Sequence, residues 1–365
     1  MENITIGITC GDINGIGLEI ILKALALKKA GKAFNLIIYG STKVVAYHKN
    51  IITQENIQFY PVQAPNEAQP DRINIINCWQ DNVNITLGKP SDVSGKCASL
   101  ALERAVKDLK AGEIDALVTA PINKKAMQLA DFPFVGHTEY ITSEFGAKDS
   151  LMLMVSDNLR IGVVTNHLPI REVAAAITIE KVQRKILILA ETLKIDFNIE
   201  RPTIAVLGLN PHAGDEGAIG EEDEAIIRPA IEQVKEKGIL AFGPFPADGF
   251  FGSGQMHKFD GVLAMFHDQG LVPFKALSFG EGVNYTAGLA SVRTSPDHGT
   301  AYDIAGKGEA DEASFIRALY LAADIVRNRN EYLEMHANSL ERRKRKALES
   351  ETGEDEVLED VIPEE

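Results

Sequence analysis

The chain has 365 residues, 45% of them hydrophobic and 24% charged, which is enough to bury one large core or two ordinary ones, and two domains are expected. Its formal charge of −15 is unevenly spread: residues 349–365 hold nine acidic and no basic side chains, so the rest of the chain carries only −6. That balance excludes a nucleic-acid surface, the short apolar stretches exclude a membrane span, and three cysteines at unrelated spacings exclude a disulfide framework or a four-thiolate zinc site, all of which fits a cytoplasmic protein.

Taken in chain order, Ile4–Thr9 alternates like a strand and runs through Gly11-Asp12-Ile13-Asn14-Gly15-Ile16-Gly17 into a helix predicted over Gly17–Ala30. Leu36–Tyr39 is the next strand, and Pro61–Val83, rich in Asn, Gln, Pro and Asp, reads as loop. A helix over Gly95–Ala111 leads to a strand at Ala116–Thr119; strands follow at Leu151–Val155 and Ile161–Thr165, then a helix over Ile170–Leu193. Thr203–Leu207 and Gly261–Met265 are further strands, with helices over Glu221–Lys237 and Asp311–Asn328. Strand and helix alternate, so the chain is predicted to be α/β, with a largely parallel sheet covered on both faces and its site at strand ends. The basic run Arg342–Lys346 reads as a solvated helix end, and from Glu349 onward the acidic sequence lacks aromatics and is predicted to be disordered.

Neither G-x-G-x-x-G nor G-x-x-x-x-G-K-[ST] occurs. The Gly11–Gly17 segment reads equally as a tight strand-to-helix turn or as a ring of bare N–H groups facing an anion. His167, His212 and His267 each follow a predicted strand directly. Any one of them alone is a structural histidine, but three imidazoles at strand ends can hold a divalent ion and leave positions open for substrate oxygens. His48 and His336 read as surface residues. His137, Thr138, Lys275, Asn284 and Arg293 sit in Gly-rich surroundings and suit a doubly anionic small substrate, Arg as a fork and Lys as a point charge. Asp248 and Asp268 could orient the imidazoles or accept a proton.

Together these motifs resemble the 4-hydroxythreonine-4-phosphate dehydrogenase family from about Ile4 to about Arg327. The resemblance is carried by Gly11-Asp12 with Gly15-Ile16-Gly17, Thr119-Ala120-Pro121-Ile122-Asn123-Lys124, Gly136-His137-Thr138-Glu139, Asn166-His167-Leu168-Pro169 and Leu209-Asn210-Pro211-His212-Ala213-Gly214. It continues through Pro246-Ala247-Asp248, His267-Asp268-Gln269-Gly270, Asn284, Arg293-Thr294-Ser295-Pro296-Asp297-His298-Gly299-Thr300 and Asp303-Ile304-Ala305-Gly306. The chain departs from the pattern at Ile13-Asn14, where the family has Pro-Ala, and at Leu18, where it has Pro.

The resemblance implies two α/β/α domains flanking a cleft, similar to isocitrate and isopropylmalate dehydrogenases. The first domain would take residues 1–130 plus about 300–345, the second 131–299 with the dimer contact, and the tail 349–365 would stand apart. It implies a homodimer with the site completed across the subunit interface. His167, His212 and His267 would be the metal ligands, and His137, Thr138, Lys275, Asn284 and Arg293 would contact a small phosphorylated hydroxy acid. The dinucleotide, NAD or NADP, would be held by loops, at residues left unassigned. The metal is left open among zinc, cobalt, magnesium, manganese and nickel. The implied reaction is oxidation and decarboxylation of 4-phosphooxy-L-threonine in pyridoxine 5'-phosphate synthesis, with Asp248, Asp268 and Lys275 as candidate proton acceptors. The same residues would serve a phosphorylated sugar acid such as threonate or erythronate 4-phosphate. A metal-dependent phosphatase or lyase would need much the same set.

Overall fold

A computed structural model of the chain describes residues 4–26, 34–52, 57–70 and 72–337. Its strands are β1 (Thr5–Thr9), β2 (Asn35–Gly40), β3 (Phe59–Val62), β4 (Ile73–Asn77), β5 (Ala116–Thr119) and β6 (Leu151–Ser156), then β7 (Leu159–Thr165), β8 (Thr203–Leu207), β9 (Leu240–Phe245), β10 (Gly261–Phe266), β11 (Val283–Ala287) and β12 (Val292–Pro296). They form one 12-stranded sheet in the order β3-β4-β2-β1-β5-β12-β11-β6-β7-β10-β8-β9.

The sheet consists of two parallel blocks. From β3 to β12 every neighbouring pair is parallel, and so is every pair from β7 to β9. Between the blocks β11 runs antiparallel to both β12 and β6, and β6 is antiparallel to β7. The second block therefore points the opposite way to the first. The β6–β7 hairpin pairs Ser156 with Leu159, so Asp157 and Asn158 form its two-residue turn, a place where short polar side chains are favoured.

Burial explains the long apolar runs. Ile6, Gly7, Ile8 and Thr9 are buried in succession, as are all four residues of β5, which requires cover on both faces of the sheet. In the second block successive side chains alternate between two cores. Leu153, Leu263 and Met265 join the large cluster that extends across the whole sheet. Met152, Met154, Val262 and Ala264 join a smaller one with Phe250 and Phe274 on the other face.

The α/β reading holds. The segment Pro61–Val83, expected to be loop, instead contains the end of β3 and all of β4. Asn74 is what hides β4: it is fully buried, its Oδ1 accepts from the Gln69 amide at 2.9 Å and its Nδ2 donates to Leu36 O at 3.2 Å. Ile170–Leu193, expected as one helix, breaks into Ile170–Ala176 and Ile179–Ile195, because Thr178 caps the second by accepting from the Lys181 amide at 3.2 Å. The helix expected over Glu221–Lys237 opens with one π-helical turn, Asp223–Ile227, and continues as Arg228–Glu236. A helix that was not expected, His267–Ser278, begins at the end of β10.

Cys10, Cys78 and Cys97 are free thiols, and no helix among the described residues is long and apolar enough to cross a membrane. The end of the first predicted helix, the basic run and the acidic tail lie outside the described residues. His48 is a correction. Expected at the surface, it is 1% exposed, with Nε2 donating to Ile13 O at 2.9 Å. Burial pushes its pKa down, so the folded chain resists a proton that the unfolded chain accepts below about pH 6.5. Stability should therefore fall as pH drops through that value. His48→Gln keeps an N–H for Ile13 O and is expected to flatten part of the loss of Tm between about pH 7.5 and about pH 5.5, measured by calorimetry.

Candidate active site

A cavity of about 300 Å3 lies where the two blocks meet, walled by β5, β12, β11 and β6, the exit of β7 and the helices His137–Glu144 and His267–Ser278. His137, Thr138, His167, His267, Lys275, Asn284 and Arg293 all line it. Asp268 does not line it but contacts a residue that does. His212 and Asp248 are exposed and lie outside its wall.

Arg293 is the centre of the arrangement. On β12 it is 3% exposed. Its Nε and Nη2 donate to Thr119 Oγ1 at 3.1 and 2.6 Å, its Nη1 donates to Thr286 Oγ1 at 3.1 Å, and Nη2 lies 3.3 Å from His137 Nδ1. None of these partners is a carboxylate. Burial pulls the guanidinium pKa down to about 10, so it stays charged and calls for an anion. His137 is pushed well below the usual histidine value by burial and then by Arg293. It is neutral, its Nδ1 accepts from Arg293, and its remaining N–H is a donor at Nε2. His137 and Thr138 also open a helix, where free amides favour negative charge.

Lys275 donates to Asp297 O at 3.1 Å and pairs with Asp297 Oδ1 at 3.1 Å. Asp297, mostly buried, has its pKa raised by desolvation, partly offset by Lys275. Asn284 Oδ1 and His298 Nε2 are buried without a hydrogen-bond partner, which leaves capacity in the pocket wall for polar groups of a small molecule.

In the same wall the His167 and His267 rings are 6.0 Å apart between centroids. His267 Nδ1 is 2.7 Å from Asp268 Oδ1, and His167 Nδ1 is 3.7 Å from Glu139 Oε1. An imidazole whose Nδ1 faces a carboxylate presents Nε2 as a ligand, so the pair suits a divalent ion. Among the described residues, no three His, Cys, Asp or Glu side chains are gathered closely enough to hold a metal.

His212 sits in an unusual segment. From His212 to Gly217 six successive residues have positive φ, at 55, 50, 81, 44, 55 and 94°, forming a left-handed turn in which only Gly214 and Gly217 are free of side-chain strain. Each of the others costs about 1–2 kcal/mol. The turn is linked to the other histidines through Gln269, whose Oε1 accepts from the Met265 amide at 2.7 Å while its Nε2 donates to Gly208 O at 2.6 Å.

Six polar wall residues were given no role from sequence: Thr119, Lys124, Glu139, Ser295, Asp297 and His298. All lie inside the motifs quoted above, so position within a motif was the available signal. The Gly11–Gly17 segment resolves as a structural turn that does not line the pocket. Asp12 is buried, accepts from the Asn14 amide at 2.8 Å and from Tyr302 Oη at 2.6 Å, and its amide donates to Pro121 O at 2.9 Å. Asn14, one of the departures from the family pattern, is fully buried. Its Oδ1 accepts from the Thr86 amide at 2.8 Å and its Nδ2 donates to Lys89 O at 2.9 Å, so it fastens the segment before the helix Asp92–Lys110.

Comparison with known proteins finds a match over residues 32–322 to the family described as "Pyridoxal phosphate biosynthetic protein PdxA". The chain is 50% identical over 340 residues to a 4-hydroxythreonine-4-phosphate dehydrogenase of Bacteroides thetaiotaomicron, covering 93% of each chain. It is similar to the crystal structure of 4-hydroxythreonine-4-phosphate dehydrogenase from Klebsiella pneumoniae, with a TM-score of 0.79 and 33% identity over 89% of this chain and 98% of that one. It is also similar to a terephthalate 1,2-cis-dihydrodiol dehydrogenase from Burkholderia xenovorans, with a TM-score of 0.60 and 25% identity over 88% of this chain and 98% of that one.

Arg293→Met tests the electrostatics of the pocket. Removing a buried cation that has no carboxylate among its hydrogen-bond partners should not lower Tm. Losing its charge-assisted hydrogen bonds should weaken binding of inorganic phosphate by roughly ten- to a hundredfold, read by titration calorimetry.

Proposed function

The chain belongs to the PdxA family of pyridoxal phosphate biosynthetic proteins, and we propose that it oxidises and decarboxylates 4-phosphooxy-L-threonine to 3-amino-2-oxopropyl phosphate with NAD or NADP as oxidant. The observation that carries this reading is the buried Arg293 with no carboxylate among its hydrogen-bond partners, lining one small cavity together with a pair of carboxylate-oriented imidazoles. The names of the similar proteins agree with it.

In this reading the substrate's phosphate and carboxylate are clamped by Arg293, the neutral His137, Thr138, Lys275 and Asn284. Their work is alignment: binding energy from the anionic ends holds the C3 hydrogen toward the nicotinamide. C3 gives up a hydride and its hydroxyl a proton, producing a β-keto acid. The bond from C2 to the carboxylate then breaks, its electron pair passes toward the C3 carbonyl, and C2 takes up a proton as carbon dioxide leaves. Of the three candidate acceptors only Lys275 lines the pocket, and it would take the hydroxyl proton as the neutral amine after handing its own to the paired Asp297, whose pKa burial raises, whereas Asp268 is engaged with His267 and Asp248 lies outside.

His167 and His267 would hold a divalent ion, zinc, cobalt or magnesium, with His212 supplied by a second copy of the chain. A bound ion would draw charge from the hydroxyl and carboxylate oxygens in both steps. The exposure of His212 and its place outside the pocket support this division of ligands, and with it a homodimer. Two units flanking the pocket, 1–130 with about 300–345 and 131–299, and a cytoplasmic location complete the proposal.

The test is to record reduced-nicotinamide absorbance and carbon dioxide release together, in metal-loaded protein, with 4-phosphooxy-L-threonine and separately with threonate 4-phosphate. Coupled signals from the amino substrate are expected. Signals from the sugar acid alone would keep the chemistry and change the substrate, and silence with both would reject the oxidoreductase reading. His212→Ala is expected to abolish metal binding and turnover while leaving the circular dichroism spectrum unchanged.

A further inference from the structure

Asp223 lies outside every motif and role assigned above. It begins the π-helical turn Asp223–Ile227 and is completely buried. Its Oδ1 accepts from the Leu209 amide at 2.7 Å, and its Oδ2 accepts from the Asn210 amide at 3.1 Å and from Asn210 Nδ2 at 2.9 Å. Three donors thus converge on one carboxylate at the base of the left-handed turn that carries His212. The backbone is fitted closely around it. A Cβ on Gly208 would stand 2.7 Å from Asp223 Oδ1, and one on Gly214 would stand 3.2 Å from Asp223 Cβ.

We propose that Asp223 is the positioning residue for His212: its carboxylate fixes the Leu209 and Asn210 peptides, so that the turn leaves the sheet left-handed and the imidazole is presented at a set place for metal. The proposal rests on the reading of His212 as a metal ligand. A left-handed run with four side chains persists only where its surroundings over-determine it, and the hydrogen bonds to Asp223 act on the two residues at which the chain enters that run. Without the carboxylate both amides would be buried beside a lost acceptor, and the turn would relax toward the right-handed region and carry His212 with it. Asp223 touches neither metal nor substrate in this scheme and acts only by holding Leu209 and Asn210.

The experiment is a double-mutant cycle on the full-length protein, read as cobalt affinity by competition with a chromophoric chelator and as Tm of the metal-free protein. Asp223→Asn is expected to weaken cobalt binding by roughly ten- to a hundredfold, and to cause no further loss in a His212→Ala background. Asn210→Ala, a milder change that removes the side-chain bonds to Asp223 and Glu222 but leaves both amide bonds to Asp223, is expected to weaken binding less and keeps the test valid if Asp223→Asn does not fold. An equal loss in both backgrounds, tracking a fall in Tm, would make Asp223 a general stabiliser and overturn the proposal, as would unchanged cobalt affinity in both variants. Unchanged affinity in His212→Ala alone would instead overturn the ligand reading, and the positioning role with it.

Discussion

A buried guanidinium with no carboxylate among its hydrogen-bond partners is the constraint on which the rest of this structure depends. Arg293 can be held at the seam of the sheet only if neutral oxygens take its donors and an open space is left on its remaining side. Thr119 and Thr286 supply the oxygens from the flanking strands β5 and β11, and His137 is kept neutral beside it. A glutamate among its partners would stabilise the empty protein and close the pocket to anions. The arrangement gives up that stability for binding, a common bargain at sites built for charged ligands.

The direction of the strands serves the same end. Two parallel blocks pointing opposite ways meet at an antiparallel seam, so the pocket draws side chains from both. The first block contributes Thr119 and Arg293, the seam Asn284 and the second block His167 and His267. A sheet of one direction throughout would place its strand exits along a single edge, and the cation and the imidazole pair would not line one cavity.

Much of this was legible from sequence because it follows from periodicity and from motifs. The fully buried strands β1, β5 and β10 read as apolar runs, and seven of the expected site residues share the pocket wall. The parts that escaped are set by tertiary partners. β4 carries a buried Asn74 that composition assigns to a loop, and His48 is buried through a carbonyl 35 residues away in the chain. His212 stands in the same local setting as His167 and His267, just after a strand, yet the left-handed turn that follows β8 takes it elsewhere. No local pattern announces six residues of positive φ when only two are glycine, and the carboxylate that bonds the residues leading into them, Asp223, lies beyond the turn in the chain.

The pairing of β12 with β5 sets when the pocket can exist. Ala116 lies opposite Val292 in that register, so the strand carrying the essential cation reaches its place only after most of the polypeptide has been synthesised. A nascent chain that has folded its first five strands presents an unpaired edge along β5 and no anion site at all. The long loop closed by this pairing carries an entropic cost that early folding must bear. A chain truncated before β12 would therefore lose the phosphate pocket and expose a strand edge prone to association. Binding competence and a protected sheet edge thus arrive in the same late step of biogenesis.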